Sequence, residues 1–268
     1  MSYILLRDIP KQSVQLDFLL HQIQGGFRGF QEVPPGFHYG AVLSQGQWRN
    51  FWCYLQPETV LVKRFDSELQ KCIDDTPENT AEYTQLAIQN SMNRLLISYP
   101  IKQYSDWQSL TQYITTDSPV LHIEVSQSLS GEVNQDFQPR FEKTFLLTHQ
   151  SDIKGFLSEF QYAFLRWFMT TKEKVDEVAQ KRWTYLLNGM YNAGESAIKS
   201  YPELFSEFID VYLAQLAQLP GHVFTNDSVI CKQLNYLIED INDTEISGLR
   251  QKARILATYI KHRQAQIK

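Results

Sequence analysis

Six histidines, three cysteines and 30 acidic residues are the chain's means of doing chemistry. The histidines stand at His21, His38, His122, His149, His222 and His262, and none lies at metal-ligand spacing from another or from Cys53, Cys72 or Cys231. No metal and no cofactor is expected. Two readings stay open for His38. It is a structural histidine with both ring nitrogens satisfied, or it is the acid–base group of a small-molecule enzyme whose carboxylate partner the fold brings close. Glu159 sits in a dense aromatic run. It is expected as a buried carboxylate that either pairs structurally or carries a raised pKa, the state in which catalytic acids are made. The acid pairs Asp74-Asp75 and Glu239-Asp240 read as solvated helix-end charges. No hydrolase elbow, dinucleotide fingerprint or phosphate loop is present.

His38 belongs to the most unusual stretch of the chain, residues 25–40, which holds five glycines, two prolines and four aromatics in sixteen positions. Gly29 and Gly36 are expected at positive φ or at a close backbone approach. Pro34 and Pro35 fix φ, remove two backbone donors and push Val33 toward extended geometry. The stretch therefore reads as a rigid corner between two strands. Its second reading is a protein-binding corner, since rigid aromatic anchors are what interfaces use. Arg28, Phe30, Pro34, Pro35, Phe37 and His38 are the expected contact residues.

Around this corner the first ~65 residues read as all-β. Short runs at 3–6, 14–20, 39–43, 48–55 and 59–64 are separated by polar turns, as in a small sandwich. Residues 75–99 take helical spacing, opened by Thr76-Pro77 and closed by Tyr99-Pro100. A short helix is expected at 105–114, a strand at 119–125, an undefined polar segment to 140 and a last strand at 141–148. From Lys154 the period becomes 3.6. Helices are expected at 154–168, 172–191 and 201–219, the third opened by a capping box at Ser200 and Glu203, with two more opened at Asp227 and Thr244. The fold class is α+β, with a β-rich, sandwich-like domain over 1–150 followed by an all-α bundle over 151–268.

The chain carries a formal net charge of −5 and no long basic run, which argues against direct nucleic-acid or anionic-membrane binding. Hydrophobic residues make up 43%, enough for a sizeable core. Three scattered cysteines point to a reducing compartment. No signal peptide and no apolar run of about 18 residues is read. An intracellular, cytoplasmic protein is expected, in both cytoplasm and nucleus if the host is a eukaryote.

Several segments resemble, in order, the AAR-two family of cistron-splicing factors. Phe27-Arg28-Gly29, Val33-Pro34-Pro35-Gly36 and His38 are similar to the signature near that family's start. Tyr99-Pro100, Tyr104, Trp107, Leu110-Thr111 and Ile114 resemble its tyrosine-proline and tryptophan segment. Glu159-Phe160-Gln161-Tyr162-Ala163-Phe164, Trp183 with Leu186-Leu187, Gly194 to Ile198, Pro202 to Phe205 and Gln215 to Pro220 continue the likeness. The resemblance implies a β-rich domain followed by a helical one. It also implies an assembly chaperone of the spliceosomal U5 snRNP that binds the RNase-H-like domain of the large U5 scaffold protein. Two departures are expected to matter: the chain ends at Lys268 with no tail to bridge partner domains, and it is short between its halves. In a host without a spliceosome, a protein-interaction module with another role is the expectation. A deep polar pocket around His38 would favour the enzyme, and an exposed apolar surface the binding protein.

Overall fold

The computed structural model describes residues 2–118, 140–170, 175–225 and 227–267. Its packing divides the chain into two units, Met1–Thr116 and Asp117–Lys268. The first is β-rich and the second is a run of helices, an α+β chain as expected.

The first unit holds two sheets. One has five strands: β1 (Ser2–Arg7), β4 (Gly29–Val33), β7 (Val60–Asp66), β8 (Lys71–Asp74) and β9 (Leu96–Ser98), in the order β8-β7-β1-β4-β9. The other is β2 (Ser13–Leu16), β3 (Leu19–Gln22), β5 (Gly36–Ser44) and β6 (Gln47–Leu55), in the order β3-β2-β5-β6 and antiparallel throughout. Tyr3 to Leu6 is apolar without alternation because its sheet is covered on both faces. Ile4 and Leu6 pack with Val14, Leu16 and Phe51 between the sheets. Tyr3 and Leu5 pack with Ala87 of α1 (Pro77–Ile88) on the other side.

The proline corner is where the chain leaves one sheet for the other, since β4 ends at Val33 and β5 begins at Gly36. Gly29 (φ 140°) and Gly36 (φ 135°) occupy the positive-φ positions expected of them. At Gly29 the reason is contact with the backbone of β1. A Cβ there would lie 2.8 Å from the Leu5 Cα and closer still to the Ile4 carbonyl oxygen.

Four local expectations need correction. Residues 14–20 are a hairpin, not one strand, because Asp17 takes φ 51° and starts a two-residue turn. The helix expected over 75–99 stops at Ile88. Asn90 takes φ 56°, and the Asn90 and Ser91 N–H groups bond back to the Ala87 and Leu86 carbonyls, the double bond of a Schellman ending. Leu96–Ser98 is thereby freed to add a parallel strand to β4. The strand expected at 141–148 is a π-helical turn, Glu142–Leu147, because its buried residues Phe141, Thr144 and Phe145 follow i, i+3, i+4 spacing. The expected caps also fail. The Ser200 hydroxyl donates to the Ser196 carbonyl, inside a short helix not expected from the sequence. The helix at Val229–Asp243 is capped by Ser228 and not Asp227, and the last helix has Ile246, not Thr244, at its N-cap. Residues 119–139, with the strand expected at 119–125, lie outside the described residues.

The second unit comprises α3 (Ile153–Thr170), α4 (Glu177–Tyr191), α5 (Gly194–Ser200), α6 (Pro202–Gln218), α7 (Val229–Asp243) and α8 (Ser247–Ala265). Its core is aromatic. Phe160 of α3 stacks on Trp183 of α4 at 6.3 Å and packs on Phe208 of α6 at 5.3 Å. The Trp183 indole N–H donates to the Gln215 side chain at 2.8 Å, so the buried polar groups are paired. The π-helical turn joins this unit through Thr144, seated against Gly189 where no side chain would fit.

Alanine at the two positive-φ glycines should separate their roles. Gly29→Ala meets fixed backbone and should destabilise by roughly 3 kcal/mol or more. Gly36→Ala meets only the Tyr104 hydroxyl, at 3.2 Å, and should cost about 1 kcal/mol. Thermal melts of both variants check the order; equal shifts would contradict the close approach at Gly29.

Candidate functional site

The corner is held from below by a carboxylate the sequence reading passed over. Asp17 is an acid between Leu16 and Phe18, and its place at the head of a two-residue turn suits its tolerance of the left-handed region. The turn is fastened to β5 by its own N–H, which donates to the Tyr39 carbonyl at 2.7 Å. That delivers the side chain into the interior, where the residue is 1% exposed.

Three donors converge on the Asp17 carboxylate. The Tyr39 N–H donates to Oδ1 at 2.9 Å, and the Tyr99 hydroxyl donates to Oδ2 at 2.7 Å. Nδ1 of His38, also fully buried, lies 2.7 Å from the same Oδ2. The other ring nitrogen, Nε2, is 2.8 Å from the Pro34 carbonyl oxygen, which can only accept, so Nε2 carries a proton. A neutral ring would then turn a bare Nδ1 toward a carboxylate. Burial works against charging the ring, but the Asp17 charge, the bond to it and the Pro34 carbonyl together outweigh burial and raise the His38 pKa. The pair is an imidazolium on a carboxylate. Burial and the same carboxylate push the Tyr99 hydroxyl well above its ordinary value, so it remains a donor.

The neighbouring carbonyls of the corner are tied by side chains of α2 (Ile101–Thr111). The Tyr104 hydroxyl donates to the Pro35 carbonyl and the Trp107 indole N–H to the Phe37 carbonyl, each at 2.7 Å. Phe37 stacks on Trp52 at 5.3 Å, with the rings 5° from parallel. Residues 60 to 90 positions apart thus meet at one point. Tyr104, singled out in the sequence only through the family resemblance, proves with Tyr99 and Trp107 to be one of the corner's fasteners.

Of the six residues proposed from sequence as contacts, Arg28 and Pro35 are exposed. Pro34, Phe30, Phe37 and His38 are buried, Phe30 between the two sheets, so they shape the corner from inside. The arrangement does not serve acid–base catalysis. A catalytic histidine keeps one nitrogen on its orienting acid and offers the other to the reacting group. Here both are bonded within the protein and the ring has no exposed surface.

Glu159, expected with a raised pKa if catalytic, is the reverse. Burial opposes its charge, but hydrogen bonds from His149 (2.8 Å) and Arg182 (2.6 and 3.0 Å), with their charges, bring it down to about 2. It joins α3 and α4 to the π-helical turn, since His149 also bonds the Thr144 carbonyl. Burial pushes the Cys53 and Cys72 thiols up to about 12, far from a reactive thiolate. Among the described residues no three His, Cys, Asp or Glu side chains are grouped to hold a metal ion. No described helix is long and apolar enough to cross a membrane.

Comparison with known proteins covers nearly the whole chain. Residues 1–124 match the family model of the AAR2 N-terminal domain, and residues 109–265 match that of the AAR2 C-terminal repeat region. The chain is also similar to the Protein AAR2 homolog of Caenorhabditis elegans, 24% identical over 156 residues. That match takes in 55% of this chain and 43% of the worm protein, so the chain accounts for less than half of its relative's length.

Two pH dependences follow. The raised His38 pKa means the folded state holds that proton more tightly than the unfolded chain. Its stabilisation is full below about pH 6.5 and is lost as pH rises through the raised value. Melts from about pH 6.5 upward should show stability of the first unit falling with pH, and His38→Gln should flatten that slope while lowering stability by about 3 kcal/mol. For Glu159 the sign is opposite. Its contribution, on the order of 3 kcal/mol, is present above about pH 4.5 and lost as pH falls toward 2. Glu159→Gln should remove that acid limb. Unchanged pH profiles in both variants would contradict the assigned pairs.

Proposed function

The chain belongs to the AAR2 family, and we propose that it acts by binding another protein during assembly of a larger particle. Where the host has a spliceosome, the family points to the RNase-H-like domain of the large U5 scaffold protein as partner, held away from competitors until the particle matures. Nucleic acid is not contacted directly, in keeping with the net charge of −5. The role is non-catalytic and intracellular, in the cytoplasm and, in a eukaryote, the nucleus. In a host without a spliceosome the same surface serves another protein.

The observation that carries this reading is the rigidity of the corner. Pro35 stands exposed on a turn whose Pro34, Pro35 and Phe37 carbonyls are each fastened by a buried or half-buried side chain, and Arg28 stands exposed at the other end of β4, the strand that leads into that turn. A surface fixed before binding loses little conformational entropy on association, and proline and arginine both suit such anchors. His38 supports the same reading, since its ring serves the corner.

The test is direct. The purified chain and the recombinant RNase-H-like domain from the same host should co-elute as a complex on size exclusion with light scattering. The Arg28→Ala/Pro35→Ala double variant should keep its circular dichroism spectrum and bind at least about tenfold more weakly. Absence of a complex would overturn the partner; full binding by the double variant would overturn the corner as its surface.

A further inference from the structure

Beside the corner, still within the first unit, lies an open cleft of about 500 Å³. Its floor is apolar, formed by Val33, Pro35, Pro57 and Ile101. Ile101, the first residue of α2, is 63% exposed, so its side chain is open to solvent at the cleft. Ser2 and Tyr99 also line it, as do two carboxylates, Glu32 and Glu58. They come from separate elements. Glu32 sits where the β1–β4 register is irregular, and Glu58 stands in the turn between β6 and β7. Both are exposed, and neither forms an ion pair among the described residues. Three other acids of this unit pair with basic side chains, Asp75 with Arg7, Asp74 with Lys63 and Asp66 with Arg64, but Glu32 and Glu58 are the two that line the cleft.

Apolar floor and unpaired acids together specify an occupant. A purely apolar segment would leave two carboxylates facing it without a counter-charge, at a desolvation cost. A free metal ion or small cation would make no use of the prolines and the isoleucine. An arginine or lysine satisfies both, because its aliphatic stem lies along apolar surface while its charged head reaches a carboxylate. We propose that this cleft docks an extended segment of a partner protein that carries a basic residue next to a branched aliphatic one. The basic head lies toward Glu32 and Glu58, and the aliphatic side chain lies on Pro35, Pro57 and Ile101. The inference rests on the reading of the corner as a protein-binding surface, with which it shares Pro35, and it supplies the chemistry of the partner.

The probe is a fluorescein-labelled peptide of alternating leucine and arginine, with a second peptide carrying glutamate in place of every arginine. Fluorescence anisotropy is read on the full chain and on the Glu32→Gln/Glu58→Gln and Ile101→Ser variants, all exposed positions at which the fold should persist by circular dichroism. The arginine peptide should bind, the glutamate peptide should not, and each variant should weaken binding about tenfold, with the glutamine variant alone losing most of its salt dependence. No binding of the arginine peptide, or binding equal on all three proteins, overturns the cleft. The corner reading is tested separately by partner capture. If the Arg28→Ala/Pro35→Ala variant loses the partner while Glu32→Gln/Glu58→Gln keeps it, the corner stands and the cleft falls. If neither variant loses it, both fall.

Discussion

A buried carboxylate cannot be left alone in a protein interior, and the first unit is arranged around meeting that demand for Asp17. Its two oxygens take hydrogen bonds from the Tyr39 backbone, the Tyr99 hydroxyl and the His38 ring. Those donors come from β5 and from the segment between β9 and α2, which are distant in sequence. Each is needed by the charge, and each in turn is positioned by it. His38 extends the chain of bonds to the Pro34 carbonyl, so the corner's geometry is coupled to the charge at Asp17. Removing one member of such a pair strands the other, which costs on the order of 3–5 kcal/mol. The network therefore rewards completeness and specifies one conformation of the corner.

The second unit solves its own burial problem with rings in place of charges. Phe156, Phe160 and Phe164 recur along one face of α3, and Trp183, Phe208 and Tyr212 receive them from α4 and α6. Where polar atoms enter that core they are paired, as with Gln215 and the Trp183 indole. The charged triad of His149, Glu159 and Arg182 lies toward the edge and ties the π-helical turn to the helices. In both units the titratable groups that sequence alone makes look catalytic are spent on holding elements together.

Much of this was legible in the residues. The two prolines and Gly36 announced a rigid corner because their φ preferences leave few alternatives. The 3.6 period of Phe156, Phe160 and Phe164 announced α3 in the same way. Asp17 was not legible, since in an alternating run it reads as the polar face of a strand, and only the hairpin turns it inward. A charge flanked by Leu16 and Phe18 was the available signal. The end of α1 was missed because Met92 and Leu95 continue helical spacing by coincidence, while Asn90 adopts the left-handed conformation that stops the helix. The turn at 142–147 was missed because a short apolar run suits strand and helix equally, and the deciding contact, Thr144 against Gly189, is long-range. The Ser200 capping pattern matched by type, yet the hydroxyl took the nearer carbonyl of its own helix.

The account rests on the His38 ring being an imidazolium locked between Asp17 and the Pro34 carbonyl, a fastener and not an acid–base catalyst. The ¹⁵N chemical shifts of its ring nitrogens, read by NMR at neutral pH on selectively labelled protein, test this most directly. The account predicts both nitrogens protonated, with both N–H protons protected from solvent exchange. A neutral ring, with one nitrogen bare and its proton in fast exchange with water, would contradict it.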